Sequence, residues 1–233
     1  MTGDPRTEEI AANLAAVRDR IEAAAREAGR DPGELTLVAV TKTFPVEDAR
    51  RLVALGVSEL GEARDQEARV KARELPGPRW HFIGRLQRNK AASVASYAAV
   101  VHTVDRPELV RALARGAERA GRDRVEVLIQ VSLDGDPDRG GALPEDVPQL
   151  ADAAAGTGRL QVAGVMAIAP LDADPDAAFG ALARIADRLR AGHPAATVVS
   201  AGMSGDLGAA VRHGATHLRI GTALLGGRPP LPG

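Results

Sequence analysis

Cysteine is absent from the 233-residue sequence, which excludes disulfides and thiolate metal sites and fits a reducing compartment, the cytoplasm. Aromatic residues are nearly as scarce: one Trp, one Tyr and three Phe. A core must therefore be built from Ala, Val, Leu and Ile, as in parallel strands covered by Ala-rich helices. Excess charge is missing too. Thirty Lys and Arg against 31 Asp and Glu leave a net charge of -1 with no long run of one sign, so the basic footprint of nucleic-acid binding is lacking. No stretch approaches the roughly 18 uninterrupted apolar residues of a membrane span, and the start, Met1 to Glu9, is polar and acidic instead of carrying an export signal. No repeat, low-complexity tract or linker divides the chain. The expectation is one domain over 1–233, with flexible tails at 1–8 and 227–233, and, for want of a large apolar face, a monomer.

What is present is a rhythm. Ile10, Leu14, Val17, Ile21 and Ala24 lay one apolar stripe along an opening helix, Ile10 to Ala28. After Gly29-Arg-Asp-Pro-Gly33, the apolar run Leu35 to Thr41 reads as a buried strand. Similar runs recur at Ser58 to Leu60, Trp80 to Ile83, Val100 to Val104, Val125 to Leu133, Leu160 to Ile168, Thr197 to Ala201 and His217 to Ile220. Helical stretches separate them, among them Val46 to Leu55, Ala63 to Glu74, Pro107 to Ala120, Asp176 to Arg190 and Asp206 to His213. Strict alternation predicts a parallel sheet, and eight repeats predict an α/β fold closed as a single (β/α)8 TIM-type barrel with an extra N-terminal helix. A doubly wound open sheet would want a glycine fingerprint after the first strand. The sequence there, Lys42-Thr-Phe-Pro45, has none.

Barrels of this kind carry their sites at the carboxyl ends of the strands, with phosphate bound in the loops after strands seven and eight. The first of these loops, Gly202-Met-Ser-Gly-Asp206, offers Ser204 and its neighbouring amides; the second, Arg219-Ile-Gly-Thr222, offers Gly221 and the Thr222 hydroxyl. Taken alone, Ser204 or Asp206 reads equally as a helix cap, and Gly221 as a turn residue. Lys42 lies just past strand one, which in a closed barrel is the neighbour of strand eight, about 4.8 Å away. An amine there serves as a phosphate-pairing cation, as an imine-forming nucleophile, or as an ordinary solvated lysine.

Four segments then occur in order: Leu37-Val-Ala-Val-Thr-Lys-Thr-Phe-Pro45, Trp80-His-Phe-Ile-Gly-Arg-Leu-Gln-Arg-Asn-Lys90, Gly202-Met-Ser-Gly-Asp206 and Arg219-Ile-Gly-Thr-Ala223. Together, and over nearly the whole chain, they resemble the pyridoxal phosphate homeostasis protein family, whose fold is similar to the barrel domain of alanine racemase (fold type III). The resemblance implies pyridoxal 5′-phosphate (PLP) carried as a Schiff base on Lys42. It implies phosphate held by Ser204, Gly221 and Thr222, with Arg219 facing the pyridine nitrogen, while Met203 and His81 read equally as residues near the ring and as core or supporting residues behind it. It also implies a role in intracellular cofactor homeostasis, with PLP-dependent apo-enzymes as recipients. Three positions depart from the family pattern: Phe44 stands where a second lysine is common, Ala63 where Asn is, and Arg85 where His is. These are expected around the pocket mouth.

An arginine at the pyridine nitrogen disfavours ring protonation and so weakens the electron sink. Racemisation needs an acid/base group on each face of the α-carbon. The lone tyrosine, Tyr97, expected near the end of the third barrel helix, is a poor second base. The reading is therefore a carrier, with a small PLP-dependent racemase and a cofactor-free Schiff-base aldolase as alternatives. His213 and His217 are four apart, but Gly214 breaks the helix a metal pair would need, and His102 and His193 add no converging ligands. The stretch Asp134 to Pro144 reads as a mobile surface loop or a lid.

Overall fold

Each of the eight strand-like runs forms a strand in the computed structural model, which describes residues 4–136 and 139–227. The strands are β1 (Thr36–Val40), β2 (Glu59–Glu62), β3 (Arg79–Phe82), β4 (Val100–Val104), β5 (Val125–Gln130), β6 (Leu160–Met166), β7 (Val198–Ser200) and β8 (His217–Ile220). All pair in parallel and in sequence order, and β8 closes on β1 with Thr36 opposite His217 and Ala39 opposite Ile220. The result is a closed (β/α)8 barrel. Around it run α1 (Pro5–Glu27), α2 (Val46–Ala54), α3 (Asp65–Glu74), α4 (Ala91–Tyr97), α5 (Pro107–Arg119), α6 (Val147–Ala155), α7 (Pro175–Gly192), α8 (Leu207–Arg212) and α9 (Thr222–Leu225). Among the described residues no helix is long and apolar enough to cross a membrane.

The opening helix starts earlier than its apolar stripe suggests. Asp4 caps it, its carboxylate accepting from the Arg6 amide at 3.2 Å, and Pro5 takes the first helical position, where its missing N–H costs nothing. Pro5 to Glu8 are thus helix and not tail; Met1 to Gly3 and residues 228–233 lie outside the described residues. The stripe Ile10, Leu14, Val17, Ile21 and Ala24 is buried as expected, against α8 and α9. The larger of these side chains each contribute about 1.5–3 kcal/mol by leaving water. α1 also closes off the end of α9, since Asn13 donates to Leu224 O at 3.0 Å and Arg6 to Leu225 O at 2.9 Å.

Four strands are shorter than their runs, β1 and β7 by one residue at each end and β5 and β6 by more at the carboxyl end. β5 ends at Gln130, and Val131 makes only an isolated bridge to Ala142. β6 ends at Met166, so Ile168 belongs to the loop that follows. The loop after β5 is tied down at several points: Ser132 N and Ala142 N bond across it, Arg139 pairs with Asp134, and Arg139 also donates to the carbonyls of Ile168 and Ala169. Residues 137 and 138 of that loop lie outside the described residues.

Candidate functional site

Lys42 sits in a tight turn at the top of β1. Thr41 continues the ladder, its N–H donating to Gly61 O at 2.9 Å, and the chain then reverses, with Phe44 N donating back to Thr41 O at 3.2 Å. Lys42 and Thr43 are the central pair. Thr43 has φ 70°, the left-handed value that the third position of a type II turn demands and that glycine normally supplies. Among the described residues it is the sole non-glycine residue with positive φ. Pro45 then leads directly into α2.

The loops after β7 and β8 meet this turn around one cavity of about 330 Å³, within the range of small-ligand pockets. Its walls include Lys42, Met203, Ser204, Arg219, Gly221 and Thr222, six of the seven residues expected from sequence. Gly202 is required by space and conformation together: φ is 90°, and a Cβ would lie 2.7 Å from the Ala210 methyl. Gly221 has a negative φ of -123°, and its requirement is space, since a Cβ would press Val40 at 3.3 Å. Asp206 does not cap α8; its carboxylate turns back to accept from the Met203 amide at 2.6 Å. From outside, Arg20 on α1 donates to Ser204 O at 2.5 Å.

Arg219 is 5% exposed, and its guanidinium donates to Ser200 Oγ at 2.8 Å and to Ala167 O at 3.0 Å. Its recorded partners are a hydroxyl and a carbonyl, not a carboxylate. Burial lowers its pKa to about 10, with Asp206 opposing, so it stays charged at neutral pH while carrying an unneutralised charge toward the cavity.

His81 is not part of this cavity. It is buried on β3, and its ring nitrogens meet Glu59 Oε2 at 2.5 Å and His102 Nε2 at 2.7 Å. Strand alternation explains the difference: His81 and Ile83 share the inner face, and Ile83 lines the cavity while His81 lies one layer deeper. Burial alone would raise the Glu59 carboxyl, but the His81 hydrogen bond and the charges of His81 and Arg79 outweigh it and hold the pKa low. Burial pushes His102 well below its usual value and His217 down to about 4. His102 Nδ1 is buried with no partner. His213 lies elsewhere, bonded to Asp176 at 3.0 Å, whereas His217 stands 6.2 Å from the His81 ring. Among the described residues no group of three or more His, Asp or Glu is placed to hold a metal ion.

The three departures from the family pattern separate. Phe44 lines the main cavity, with Arg6 stacked 5.9 Å from its ring centre. Ala63 and Arg85 instead line a neighbouring cavity of about 570 Å³, beside Gln87, Lys90 and Arg106. Sequence reasoning missed the residues that brace the Lys42 turn from behind, Glu62, Glu67 and Lys71. Glu62 stands out as a carboxylate in a strand, whereas Glu67 and Lys71 lie on the polar helix α3 and carry no distinguishing signal in the sequence.

Comparison with known proteins bears on this geometry. Residues 12–229 match the family described as Alanine racemase, N-terminal domain. A pyridoxal phosphate homeostasis protein of Mycobacterium bovis is 44% identical over 243 residues, covering 96% of this chain and 94% of that protein. One of Corynebacterium glutamicum is 44% identical over 216 residues, covering 90% and 98%. Among solved structures, PipY of Synechococcus elongatus is 34% identical and covers 93% of this chain and all of its own. It superposes with a TM-score of 0.82 without PLP and 0.78 with PLP bound. Alanine racemase of Clostridium difficile, at 17% identity and a TM-score of 0.74, shares the fold over 58% of its chain. With the closed barrel and near full-length identity of this order, the chain belongs to the pyridoxal phosphate homeostasis protein family, within the alanine racemase N-terminal domain fold.

Proposed function

We propose that this chain binds pyridoxal 5′-phosphate in the 330 Å³ cavity and holds it for delivery within the cell, as a carrier and not as an enzyme with substantial turnover. One observation carries the reading: the cavity combines one amine, one buried guanidinium and several hydroxyl and amide groups, but no second acid/base side chain among its described lining. The names of the relatives and the PLP bound to PipY support the choice of cofactor.

The residues fit the group by their chemistry. The Lys42 amine provides the covalent attachment. Ser204, Gly221 and Thr222 supply the hydroxyl and amide donors for a phosphate, and the close approach of Gly221 to Val40 keeps that corner free of a side chain. Met203 and Phe44 are apolar walls for a ring. When bound, the cofactor supplies an aldehyde for imine formation and an electron-withdrawing pyridine. Arg219, fixed by Ser200 and the Ala167 carbonyl, opposes a second positive charge at the ring nitrogen and so weakens that withdrawal. Tyr97 is no substitute base: it closes α4, its hydroxyl faces Asp65 at 3.4 Å, and burial with that carboxylate pushes its pKa up. Recipients are PLP-dependent apo-enzymes of the cytoplasm.

The test is an absorbance spectrum of the protein with PLP, before and after borohydride reduction, followed by mass analysis of the Lys42 peptide. The expected result is an imine band that reduction removes, with the pyridoxyl mass on Lys42 and complete loss of both in Lys42→Ala. A Lys42→Ala protein that keeps the band overturns the site. D-isomers appearing from a panel of L-amino acids at enzyme-like rates favour a racemase. Trapping of a phosphorylated sugar without pyridoxal favours an aldolase.

A further inference from the structure

We propose that Glu62, Glu67 and Lys71 are positioning residues that act through the backbone of the Thr41–Phe44 turn to present the Lys42 amine to the cofactor. The proposal rests on Lys42 as the attachment residue.

The contacts form a closed set behind the turn. Lys71 reaches in from α3 and donates to Glu62 Oε1 at 2.6 Å and to the Thr41 carbonyl at 2.8 Å. The Thr41 hydroxyl donates to the same Glu62 oxygen at 2.6 Å. One helical turn before Lys71, Glu67 accepts from the Thr43 amide at 3.1 Å, and Arg64 holds its other oxygen at 3.0 Å. Both residues flanking Lys42 are thus gripped, one by a β2–α3 ion pair and one by a carboxylate on α3. The Thr41 carbonyl receives a second donor, the Phe44 amide, so the same oxygen closes the turn and anchors it to the ammonium.

Stability alone does not account for this arrangement. Thr41, Glu62 and Lys71 are at most 5% exposed, and apolar residues of similar volume in place of such a buried pair are often neutral or stabilising. Glu62 Oε2 and Thr43 Oγ1 are both buried without a partner. Thr43 is β-branched at φ 70°, a strained conformation that persists only where the surroundings over-determine it. Three unfavourable features converge on one four-residue turn, and the residue they hold in common is Lys42. Strain and buried charge concentrated around a single reactive amine indicate orientation of that amine.

Two variants of the full chain test the clamp. Thr43→Gly removes the strained side chain and the orphaned hydroxyl. The pair Glu62→Gln with Lys71→Met removes both charges together and withdraws the donor from the Thr41 carbonyl. Each is mixed with PLP as apoprotein, and three quantities are read: the rate of appearance of the imine band, the pH midpoint of that band, and the thermal midpoint without cofactor. The clamp predicts attachment at least tenfold slower and a shifted pH midpoint in the double variant, which loses the donor to the Thr41 carbonyl. Thr43→Gly keeps the contacts at the Thr41 carbonyl and the Thr43 amide, so it attaches PLP within about twofold of the wild-type rate, with a thermal midpoint unchanged or raised. A folded double variant that attaches PLP at the wild-type rate and pH midpoint overturns the clamp. A wild-type protein that forms no Lys42 adduct removes the carrier reading and the clamp together. A normal wild-type adduct, lost in Lys42→Ala but unaltered in the double variant, removes the clamp alone.

Discussion

The two ends of the barrel interior use polar residues in opposite ways. At the floor, Glu59, His81 and His102 form a chain of short hydrogen bonds sealed among strands, and its partners are all protein groups. At the mouth, Ser204, Thr222 and the guanidinium of Arg219 face a cavity, beside the strained turn carrying Lys42. The floor spends its polarity on itself and so contributes to holding strands β2, β3 and β4 in register. The mouth leaves donors facing open space, which suits a ligand that brings its own acceptors.

The strongest way to break this contrast is at the floor. His81→Ala leaves Glu59 with Arg79 at 3.3 Å but takes from His102 its one partner and opens a buried cavity, at an expected cost of about 3–5 kcal/mol from the two together. For a chain of this length that lowers the thermal midpoint by roughly 10 °C. Calorimetry reads the loss, and borohydride trapping at saturating PLP should still label Lys42 fully. A parallel loss of labelling would mean that floor and mouth are one functional unit.

A smaller effect comes from pH. His217 is neutral in the folded protein down to about pH 4 but takes up a proton near pH 6.5 when unfolded, so the unfolded state binds more protons between those values. Stability is therefore full above about pH 6.5 and falls as pH drops toward 4, by on the order of 3 kcal/mol from this group. His102, lowered in the same direction, adds to the slope. Denaturant titrations across this window should show the decline in wild type and a flatter profile in His217→Gln. An unchanged slope in the variant would remove His217 from the account.

The smallest effect sharpens the comparison from the other side. Ser204→Ala at the mouth deletes one hydroxyl donor to a charged phosphate, an expected loss of about 1.5–3 kcal/mol in binding, or roughly tenfold or more in Kd. The thermal midpoint of the apoprotein should hold, because Ser204 is partly exposed and its carbonyl, not its hydroxyl, is what Arg20 holds. Equilibrium titration with PLP followed by absorbance measures the first, and calorimetry the second.

Much of this architecture is legible in the sequence. Eight strand-like runs separated by helical stretches locate the strands, most of them apolar because parallel strands covered on both faces are buried. Six of the seven expected site residues converge because the ends of β1, β7 and β8 are adjacent in a closed barrel. His81 takes the core alternative for a reason of depth. The period of two gives the face a strand residue points to but not its height, and two residues along β3 are about 6.6 Å. The opening helix was dated late because its first turn is polar, and only Asp4 and Pro5 mark the true start.

By itself, then, the order of strands, helices and turn residues determined the barrel and the end at which its site lies, since hydrophobic periodicity and loop chemistry are local properties of the chain. Only the tertiary structure decided what surrounds Lys42. The clamp joins residues 41, 43, 62, 67 and 71, and the floor joins 59, 81, 102 and 217, sets whose members become neighbours only when strands pair and helices pack on them, and, for His217, when the barrel closes. Burial then fixed their charge states: His102 and His217 are held neutral by loss of water, and Arg219 stays charged because even a lowered pKa of about 10 lies above neutrality.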